Sequence, residues 1–348
     1  MLERSSLDGL FREISDICSF LGLRQTFVLD KLEKISSEDR DHQSLCDWIV
    51  TFVQNSFQSV SLTDKRSPSA ELLASIGFDP RSSAVETIVA RARNTQHHID
   101  LCEMAEIFIR DQFKYKVSPS SVTCMFPLRS NITNTWFRLS IFSSDVEIVG
   151  GSECHVDLIN LVTIESHAYS ILRTELGNLL SKDDQNVVLF HGTDHLSACD
   201  ILFRGIDLCQ GRQKRDFSCG SGFYLTDNCE EALNWAKNTT TKPALLVFQV
   251  NRQEHSTDAE KLNLFNDEQR WCEIVTSFRS GEKTARTRKS LAAYDLIEGP
   301  VSTMKTNGST GELVFSPKPL SYQMCLISDS CADIFRRTLH SILFFDIC

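Results

Sequence analysis

The chain has 348 residues, of which 41% are hydrophobic and 24% charged, an ordinary composition for a folded globular protein. Its 36 basic and 46 acidic residues give a formal net charge of −10, which argues against a general electrostatic grip on nucleic acid or on an anionic membrane. A chain of this length predicts two domains.

The sequence predicts neither a secretory leader nor a membrane helix. Residues 1–20 lack a basic start followed by an apolar core, and no apolar run approaches the roughly 18 residues that a membrane helix needs. The 13 cysteines are scattered and never form a Cys-x-x-Cys pair, which is typical of a reducing compartment rather than of a disulfide framework or zinc ribbon. We therefore expect a cytoplasmic or nuclear protein without membrane association and without a bound metal.

The first half of the chain changes from helical to strand patterns. Residues 1–115 mostly space their apolar residues by three and four, and the proline-containing segment 63–83 predicts a loop around a short helix. The stretches "TCMFPL", "WFRLSIF" and "DVEIVGG" have strand composition. A helix is predicted over 164–180, and 181–186 reads as a linker.

The predicted fold class is α+β, with two domains. Residues 1–180 are assigned to an N-terminal helical and then α+β domain for targeting or regulation. Residues 184–348 are assigned to a second domain that carries the chemistry. No local pattern in the first domain points to a particular activity.

The second domain begins with a strand that runs into a helix. "VVLF" (187–190) predicts a short strand that ends at His191-Gly192, and Thr193 or Asp194 can cap the helix that follows. The apolar face of that helix is formed by Leu196, Ala198, Ile201 and Leu202. Gly205 is predicted to end the helix in a left-handed conformation.

Further strands and helices follow in the second domain. "GSGFYLT" (220–226) predicts a strand bracketed by glycines, and "DNCE" (227–230) has the spacing of a capping box that opens a helix. The last predicted elements are strands "PALLVFQV" (243–250), "YDLIEGPV" (294–301) and "YQMCLIS" (322–328), and a helix over 329–343.

Three residues stand out as candidates for a ligand site: His191, Tyr224 and Gln323. A histidine supplies a donor and an acceptor for a hydroxyl, and the glycine after it lets a ligand approach the backbone. A tyrosine offers a flat face with a polar tip. Taken singly, such a histidine or tyrosine is more often a packed core residue than a functional one, so the order of these residues along the chain carries the argument.

In that order the second domain resembles the ADP-ribosyltransferase superfamily, in the poly(ADP-ribose) polymerase-like branch with a His-Tyr-Glu triad. More narrowly it is similar to a small uncharacterised transferase-like family. The stretches that carry the resemblance are "LFHGT", "FRGIDL", "RDFSCGSGFYLT", "EALNWA", "YDLIEGPV" and "SYQMCLIS". They span about residues 187–343, and nothing in residues 1–180 takes part.

The resemblance implies a split β-sandwich with flanking helices and a cleft for NAD⁺ as substrate. His191 would hold a ribose hydroxyl, the Gly192 backbone would contact the nicotinamide carboxamide, and the Tyr224 ring would stack on the nicotinamide. The remaining residues implied to bind or shape the dinucleotide site are Thr193, Asp216, Gly222 and Phe223.

The sequence departs from the family at the triad carboxylate, where Gln323 stands. Breaking the nicotinamide–ribose bond develops an oxocarbenium-like ribose, which a carboxylate stabilises best. Glutamine offers only neutral hydrogen bonds, about half as strong as charge-assisted ones. The other carboxylates considered for this role are Glu273, Glu298 and Glu312. "DFSCGSGFY" is also longer than the family's pattern, which affects the rim of the cleft.

These features predict transfer of ADP-ribose from NAD⁺ to a protein acceptor, with mono-modification favoured over polymer. Two alternatives stay open: hydrolysis of NAD⁺, and a catalytically silent domain that binds NAD⁺, ADP-ribose or a partner protein. Cys219 near His191 raises a thiol nucleophile as a rival reading. The basic segment 279–289 is read as a solvated loop, or as a docking site for an acidic protein or nucleic-acid backbone.

Overall fold

The computed structural model describes nine stretches of the chain: residues 14–36, 42–60, 68–94, 99–117, 133–141, 154–179, 186–251, 259–306 and 313–347. The chain divides into two compact units. The first is Met1–Thr123 with Asn238–Thr240, and the second is Cys124–Lys237 with Thr241–Cys348.

The first unit is helical over its described residues, as the sequence predicts. After a helical stretch at 14–21, its helices are α1 (Gln25–Leu32), α2 (Leu45–Gln58), α3 (Ala70–Ser75), α4 (Ser83–Asn94) and α5 (Leu101–Gln112). Ser44, Ser69 and Asp100 cap α2, α3 and α5 by accepting a backbone N–H three residues on. Side chains that are fully buried, such as Val28, Ile49 and Met104, form its core.

The second unit is built on two mixed sheets and a hairpin. The five-stranded sheet has the order β1 (Trp136–Ile141), β2 (Cys154–Thr163), β11 (Leu339–Ile347), β5 (Pro243–Asn251), β3 (Asn186–Asp194). The four-stranded sheet has the order β4 (Phe223–Leu225), β10 (Gln323–Leu326), β7 (Leu296–Gly299), β6 (Lys261–Asn263). Strands β8 (Ser302–Thr306) and β9 (Leu313–Pro317) form the hairpin.

Helices of the second unit lie between these strands in sequence. They are α6 (Ala168–Leu179), α7 (His195–Arg204), α8 (Cys229–Thr239), α9 (Glu268–Ser280), α10 (Thr284–Leu291) and α11 (Asp329–Arg336). No helix among the described residues is long and apolar enough to cross a membrane. The α+β class of the prediction agrees with this arrangement of helices and mixed sheets.

Strand β11 corrects one sequence prediction. A helix was predicted over 329–343, but α11 ends at Arg336 and residues 339–347 form a strand. Four consecutive side chains, Ile342 to Phe345, are fully buried. A continuous aromatic and aliphatic run of this kind is typical of a strand covered on both faces, and β11 indeed lies in the middle of its sheet, between β2 and β5.

Strand β3 is longer than predicted. It runs through His191 and Gly192 to Asp194, because each of these residues continues the antiparallel register with β5. Asp194 then caps α7 by accepting the N–H groups of Leu196 and Ser197. Gly205 ends that helix with φ +98° but with extended ψ, so its conformation is not the left-handed helical one that was expected.

Two further local predictions need correction. Asn228 caps α8, since its Oδ1 accepts the N–H groups of Glu230 and Glu231, whereas the capping box assigned this role to Asp227. The basic segment 279–289 is not a loop, because α9 reaches Ser280 and α10 begins at Thr284. Gly281, with φ +78°, makes the left-handed turn between the two helices.

The boundary between compact units does not coincide with the predicted domain boundary at residues 180–184. Strand β2 pairs with β11 over seven residues, so residues 154–163 belong to the sheet of the second unit. Of the three strands predicted before residue 152, "WFRLSIF" is confirmed as β1. The strands predicted at 123–128 and 145–151, and residues 181–185 of the predicted linker, lie outside the described residues. Cys199 on α7 is disulfide-bonded, which the scattered cysteines did not predict.

Candidate functional site

His191 is held in a defined orientation on β3. Its Nδ1 lies 2.7 Å from the carbonyl oxygen of Tyr224. A carbonyl only accepts, so Nδ1 carries the proton and Nε2 is an acceptor in the neutral ring. Burial lowers the pKa of His191 to about 4, against the opposing effect of the Tyr224 carbonyl, so the ring is neutral at physiological pH. As a whole residue His191 is partly exposed, and its imidazole stacks on Phe223, with ring centroids 4.1 Å apart.

Gly192 is required by packing. A Cβ at this position would lie 1.9 Å from the carbonyl oxygen of Ala232, so only glycine lets α8 lie this close to β3. This reason is independent of the ligand approach that the sequence analysis gave for the same glycine. The next residue, Thr193, pairs with Ala244 of β5 and is partly exposed.

Tyr224 is anchored through its hydroxyl. The phenol oxygen accepts the backbone N–H of Phe217 at 2.8 Å and lies 3.1 Å from Oγ of Ser218. Burial, with the neighbouring Cys325, raises the pKa of Tyr224 well above its usual value, so the hydroxyl is neutral. The ring packs against an apolar cluster that includes Ile297 and the side chains of α9.

We expect the change Tyr224→Phe to lower the free energy of unfolding by about 1–3 kcal/mol, because it leaves the Phe217 N–H unpaired beneath the ring. Urea unfolding measures the difference. Tyr294→Phe is the matched control, since the Tyr294 hydroxyl accepts a longer bond, 3.3 Å from Arg270. Equal losses in the two variants would contradict this role of the Tyr224 hydroxyl.

Asp216 is the centre of a buried polar cluster. Its Oδ1 accepts from Nε of Arg279 at 2.6 Å and from Oγ of Ser302 at 2.7 Å. Its Oδ2 accepts from the Ser302 N–H at 2.8 Å and from Nε2 of Gln323 at 2.7 Å. The side chains of Asp216 and Arg279 are 2% and 5% exposed. The carboxylate therefore has a protein donor for each of its four acceptor positions.

The charge state of Asp216 follows from these contacts. Burial alone would raise the pKa of its carboxyl, but the Arg279 charge and the hydrogen bonds from Ser302 and Gln323 outweigh burial and hold the pKa below its usual value. The ion pair is therefore formed throughout the neutral range. Its geometry is that of a structural link between the loop before β4, helix α9 and strands β8 and β10.

Gln323 belongs to this cluster. It opens β10, as predicted, and is 6% exposed. One N–H of its amide goes to Asp216, and Nε2 also lies 3.1 Å from the carbonyl oxygen of Pro300. The amide nitrogen is thus committed to two acceptors of the protein itself.

Strand register separates the predicted triad into two groups. Tyr224 lies opposite Cys325 on β10, so Tyr224 and Gln323, two residues from Cys325, share one face of the four-stranded sheet. Phe223 points to the other face, and the His191 ring stacks on Phe223. The structure therefore brings Tyr224, Gln323 and Asp216 together, and the backbone of β4 lies between them and the His191 ring.

Gly222 and Phe223 shape the start of β4. A Cβ at Gly222 would lie 2.7 Å from Oγ of Ser218 and 2.8 Å from Sγ of Cys325, so this glycine too is required by close packing. Phe223 is buried and meets Phe248 of β5 edge-on at 5.9 Å. It is therefore part of the contact between the two sheets.

The two alternative carboxylates that the structure describes, Glu273 and Glu298, lie apart from Gln323. Glu273 is exposed on α9 and accepts from Gln269, in agreement with a solvated helix face. Glu298 is buried, paired with Lys261 and bonded to the Tyr322 hydroxyl at 2.9 Å. It lies opposite Met324 in the register, and so on the other face of the sheet from Gln323. Glu312 lies outside the described residues.

In the thiol alternative, the Cys219 thiol and Nδ1 of His191 each have a different partner. The Cys219 thiol donates to Oε1 of Gln213 at 2.8 Å, whereas Nδ1 of His191 is bound to Tyr224. Within the described part of the chain, no group of three His, Cys, Asp or Glu side chains could hold a metal ion. The cluster partners Arg279 and Ser302 escaped the sequence analysis, which counted Arg279 among the cations of a basic loop.

Residues 187–312 match a family model. The family is described as "Protein of unknown function (DUF3990)". The DUF3990 match begins at β3 and covers His191, Asp216, Tyr224 and the ion-pair partner Arg279. Gln323 and the central strand β11 lie beyond it. A search of the curated proteins found no match.

Proposed function

We propose that the second unit is an ADP-ribosyltransferase-like domain that takes NAD⁺ as substrate and transfers ADP-ribose to a protein acceptor, one unit at a time. The observation that carries the proposal is the partly exposed, neutral His191, whose Nδ1–H is fixed on the Tyr224 carbonyl. The fixed tautomer leaves Nε2 as an acceptor for a ribose hydroxyl.

The fold supports the same proposal. Two mixed sheets meet where Phe190 and Thr226 exchange backbone hydrogen bonds of 2.7 and 3.0 Å, next to His191 and Tyr224. This junction agrees with the split β-sandwich that the resemblance implies. The order of the motifs along the chain, from Phe-His-Gly-Thr to Tyr-Gln-Met-Cys, agrees with it.

In the proposed reaction the bond between C1′ of the ribose and the pyridinium nitrogen breaks, and its electron pair goes to nicotinamide, which leaves neutral. A nucleophilic group of the acceptor forms the new bond to C1′ and loses its proton. Catalysis then consists of positioning and of stabilising the cationic ribose. Water in place of the acceptor gives hydrolysis of NAD⁺.

We expect the purified chain to release nicotinamide from NAD⁺, both with and without cell lysate. The change His191→Ala should lower this rate at least about tenfold, because it removes one hydrogen bond to the ribose. His155→Ala, an exposed histidine on β2, is the control and should keep the rate. Melting temperatures show whether each variant is folded, and His191→Gln keeps an acceptor if alanine destabilises the fold. Modified protein in lysate would separate transfer from hydrolysis. Equal rates in the two alanine variants would contradict the proposal.

A second candidate is a domain that binds NAD⁺ or ADP-ribose, or a partner protein, without turnover. The commitment of the Gln323 amide to Asp216 and Pro300 favours it, because among the described residues no carboxylate takes the position that the triad requires. Binding of ADP-ribose without nicotinamide release would support this candidate. For either candidate we propose the cytoplasm or nucleus as the place of action and a protein in preference to nucleic acid as the partner.

A further inference from the structure

Two arginines share one tryptophan beside His191. Trp235 lies on α8, and Arg212 and Arg215 lie in the loop before β4. Their guanidinium carbons are 5.4 and 5.1 Å from the centroid of the Trp235 ring, within cation–π range. Arg215 is 7% exposed, whereas Arg212 and Trp235 are partly exposed and can be reached from solvent.

The backbone fixes this loop to β4. The Gly222 N–H donates to the carbonyl of Leu208 at 3.1 Å, and the Gly220 N–H donates to the carbonyl of Arg212 at 3.2 Å. Gly211 lies so close to Gly222 that a Cβ would be 2.8 Å from its backbone nitrogen and oxygen. The position of Arg212 is therefore set by hydrogen bonds and close packing along the start of β4.

Two separate contacts bring this pair of arginines to His191. His191 is bonded to the carbonyl of Tyr224, which follows the same glycine-bracketed start of β4. Ala232 of α8 touches Gly192, and Trp235 is three residues farther along that helix, a rise of about 4.5 Å. The Arg212 charge also acts on the imidazole, as one of the smaller causes of its lowered pKa.

We propose that Arg212 and Arg215, held against Trp235, bind the pyrophosphate of the dinucleotide whose ribose contacts His191. The identity of the ligand rests on the proposed function. Guanidinium groups suit this role because their planar fork binds phosphate oxygens with two parallel hydrogen bonds. The contact with the indole restricts the positions that each guanidinium group can take. In a chain of net charge −10, this local pair of cations also gives an anionic ligand a defined place to bind.

The test is calorimetric binding of ADP-ribose, ADP and nicotinamide to the full chain and its variants. We expect Arg212→Ala to weaken the binding of ADP-ribose and of ADP about tenfold or more and to leave the affinity for nicotinamide unchanged. Arg212→Lys should recover part of the affinity, since it keeps the charge but not the fork. Arg270→Ala is the control, because Arg270 makes the same kind of contact with Tyr294 on another part of the unit. The affinity for ADP should also fall as salt rises.

The outcomes separate this inference from the proposed function. If ADP binding depends on these arginines but no nicotinamide is released, the anion site is supported and the proposed enzymatic activity is contradicted. Nicotinamide release with the same KM for NAD⁺ in folded Arg212→Ala and Arg212→Glu variants overturns the anion site and keeps the enzyme. Failure of the folded wild-type chain to bind either ADP or ADP-ribose overturns the anion site as well.

Discussion

The change Asp216→Asn should lower the free energy of unfolding of the second unit by about 3–5 kcal/mol, the usual cost of removing one partner of a buried ion pair. The substitution keeps the shape of the side chain but leaves the Arg279 charge without a counter-ion at 5% exposure. It also replaces a carboxylate oxygen, which accepts a hydrogen bond from Ser302 or Gln323, with an amide nitrogen, which can only donate one. Chemical denaturation followed by tryptophan fluorescence measures the loss, since Trp271 is buried in the adjacent apolar cluster.

The control for this prediction is Glu230→Gln, which removes a pair with Arg173 whose side chains are 41% and 71% exposed. An exposed pair of this kind contributes below about 1 kcal/mol. The double variant with Arg279→Met should cost much less than the sum of the two single changes, because both then remove the same pair. Additive losses would show that Asp216 and Arg279 do not act on each other in the folded chain.

The pH dependence of this loss follows from the lowered pKa of Asp216. A carboxyl with a depressed folded-state pKa contributes stability that is present above its unfolded value, about 3.9, and is lost as the pH falls through the folded value. The difference between wild type and Asp216→Asn should therefore be constant between pH 5 and 8. It should shrink only in more acidic solution.

Gln323→Glu should destabilise the folded chain in a pH-dependent way, and not simply restore a catalytic carboxylate. The introduced carboxyl would face Oδ2 of Asp216, 2.7 Å from the present amide nitrogen, and the carbonyl of Pro300. Two buried carboxylates in contact raise the pKa of one of them strongly. A rise of about three units corresponds to about 4 kcal/mol of stability lost once the pH exceeds that raised value.

The sign of this effect is opposite to that of Asp216→Asn. A carboxyl with a raised folded-state pKa stabilises the fold in its protonated form, because it can then donate to Asp216 in place of the amide. That stability is present below about pH 4.3 and is lost as the pH rises through the raised value. The melting temperature of Gln323→Glu should therefore be lower at pH 8 than at pH 5, whereas the melting temperature of the wild type should be similar at the two pH values.

A matched control exists on α9. Gln269 also donates its amide to a carboxylate, Glu273 at 3.2 Å, but on the exposed face of the helix. Gln269→Glu creates an i, i+4 pair of like charges in water, which costs about 0.2–0.5 kcal/mol. An equally small loss in Gln323→Glu would mean that the cluster around Asp216 is open to solvent. NAD⁺ turnover of this variant is best read at the lower pH, where it is most stable.

The sequence predicted those elements that have local signals. Alternating or continuous apolar runs located β5 and β10, and spacing by three and four located α2 and α7. It misassigned β11, because "SILFFD" after a helix has no turn residue to separate it and its burial on both faces depends on β2 and β5. It misread the segment at 279–289, since Gly281 separates α9 from α10, and α10 has a single buried residue, Leu291, to indicate a helix.

The polar cluster could not be predicted for a different reason. Asp216 and Arg279 are 63 residues apart, and Asp216 and Gln323 are 107 apart. Taken alone, Asp216 is a loop carboxylate, Arg279 is a cation of a basic loop and Gln323 is a substituted triad residue. Their joint role depends on which faces of β4 and β10 the register exposes, and register is a tertiary property. Gly192 and Gly222 were predicted as residues of the ligand site, whereas the close packing around both glycines becomes visible only in the folded chain.

The position of β11 also has a consequence for the order of folding. Strands β1 and β2 form one half of the larger sheet and β5 and β3 the other, and these halves join only through β11. The joining contacts connect residues 157–163 with residues 341–347 across a long stretch of chain. Such distant contacts are slow to form because a large loop must close first. Until then, β2 and β5 both present an unpaired edge, so the second unit is most prone to aggregate just before residues 339–347 insert between these two strands.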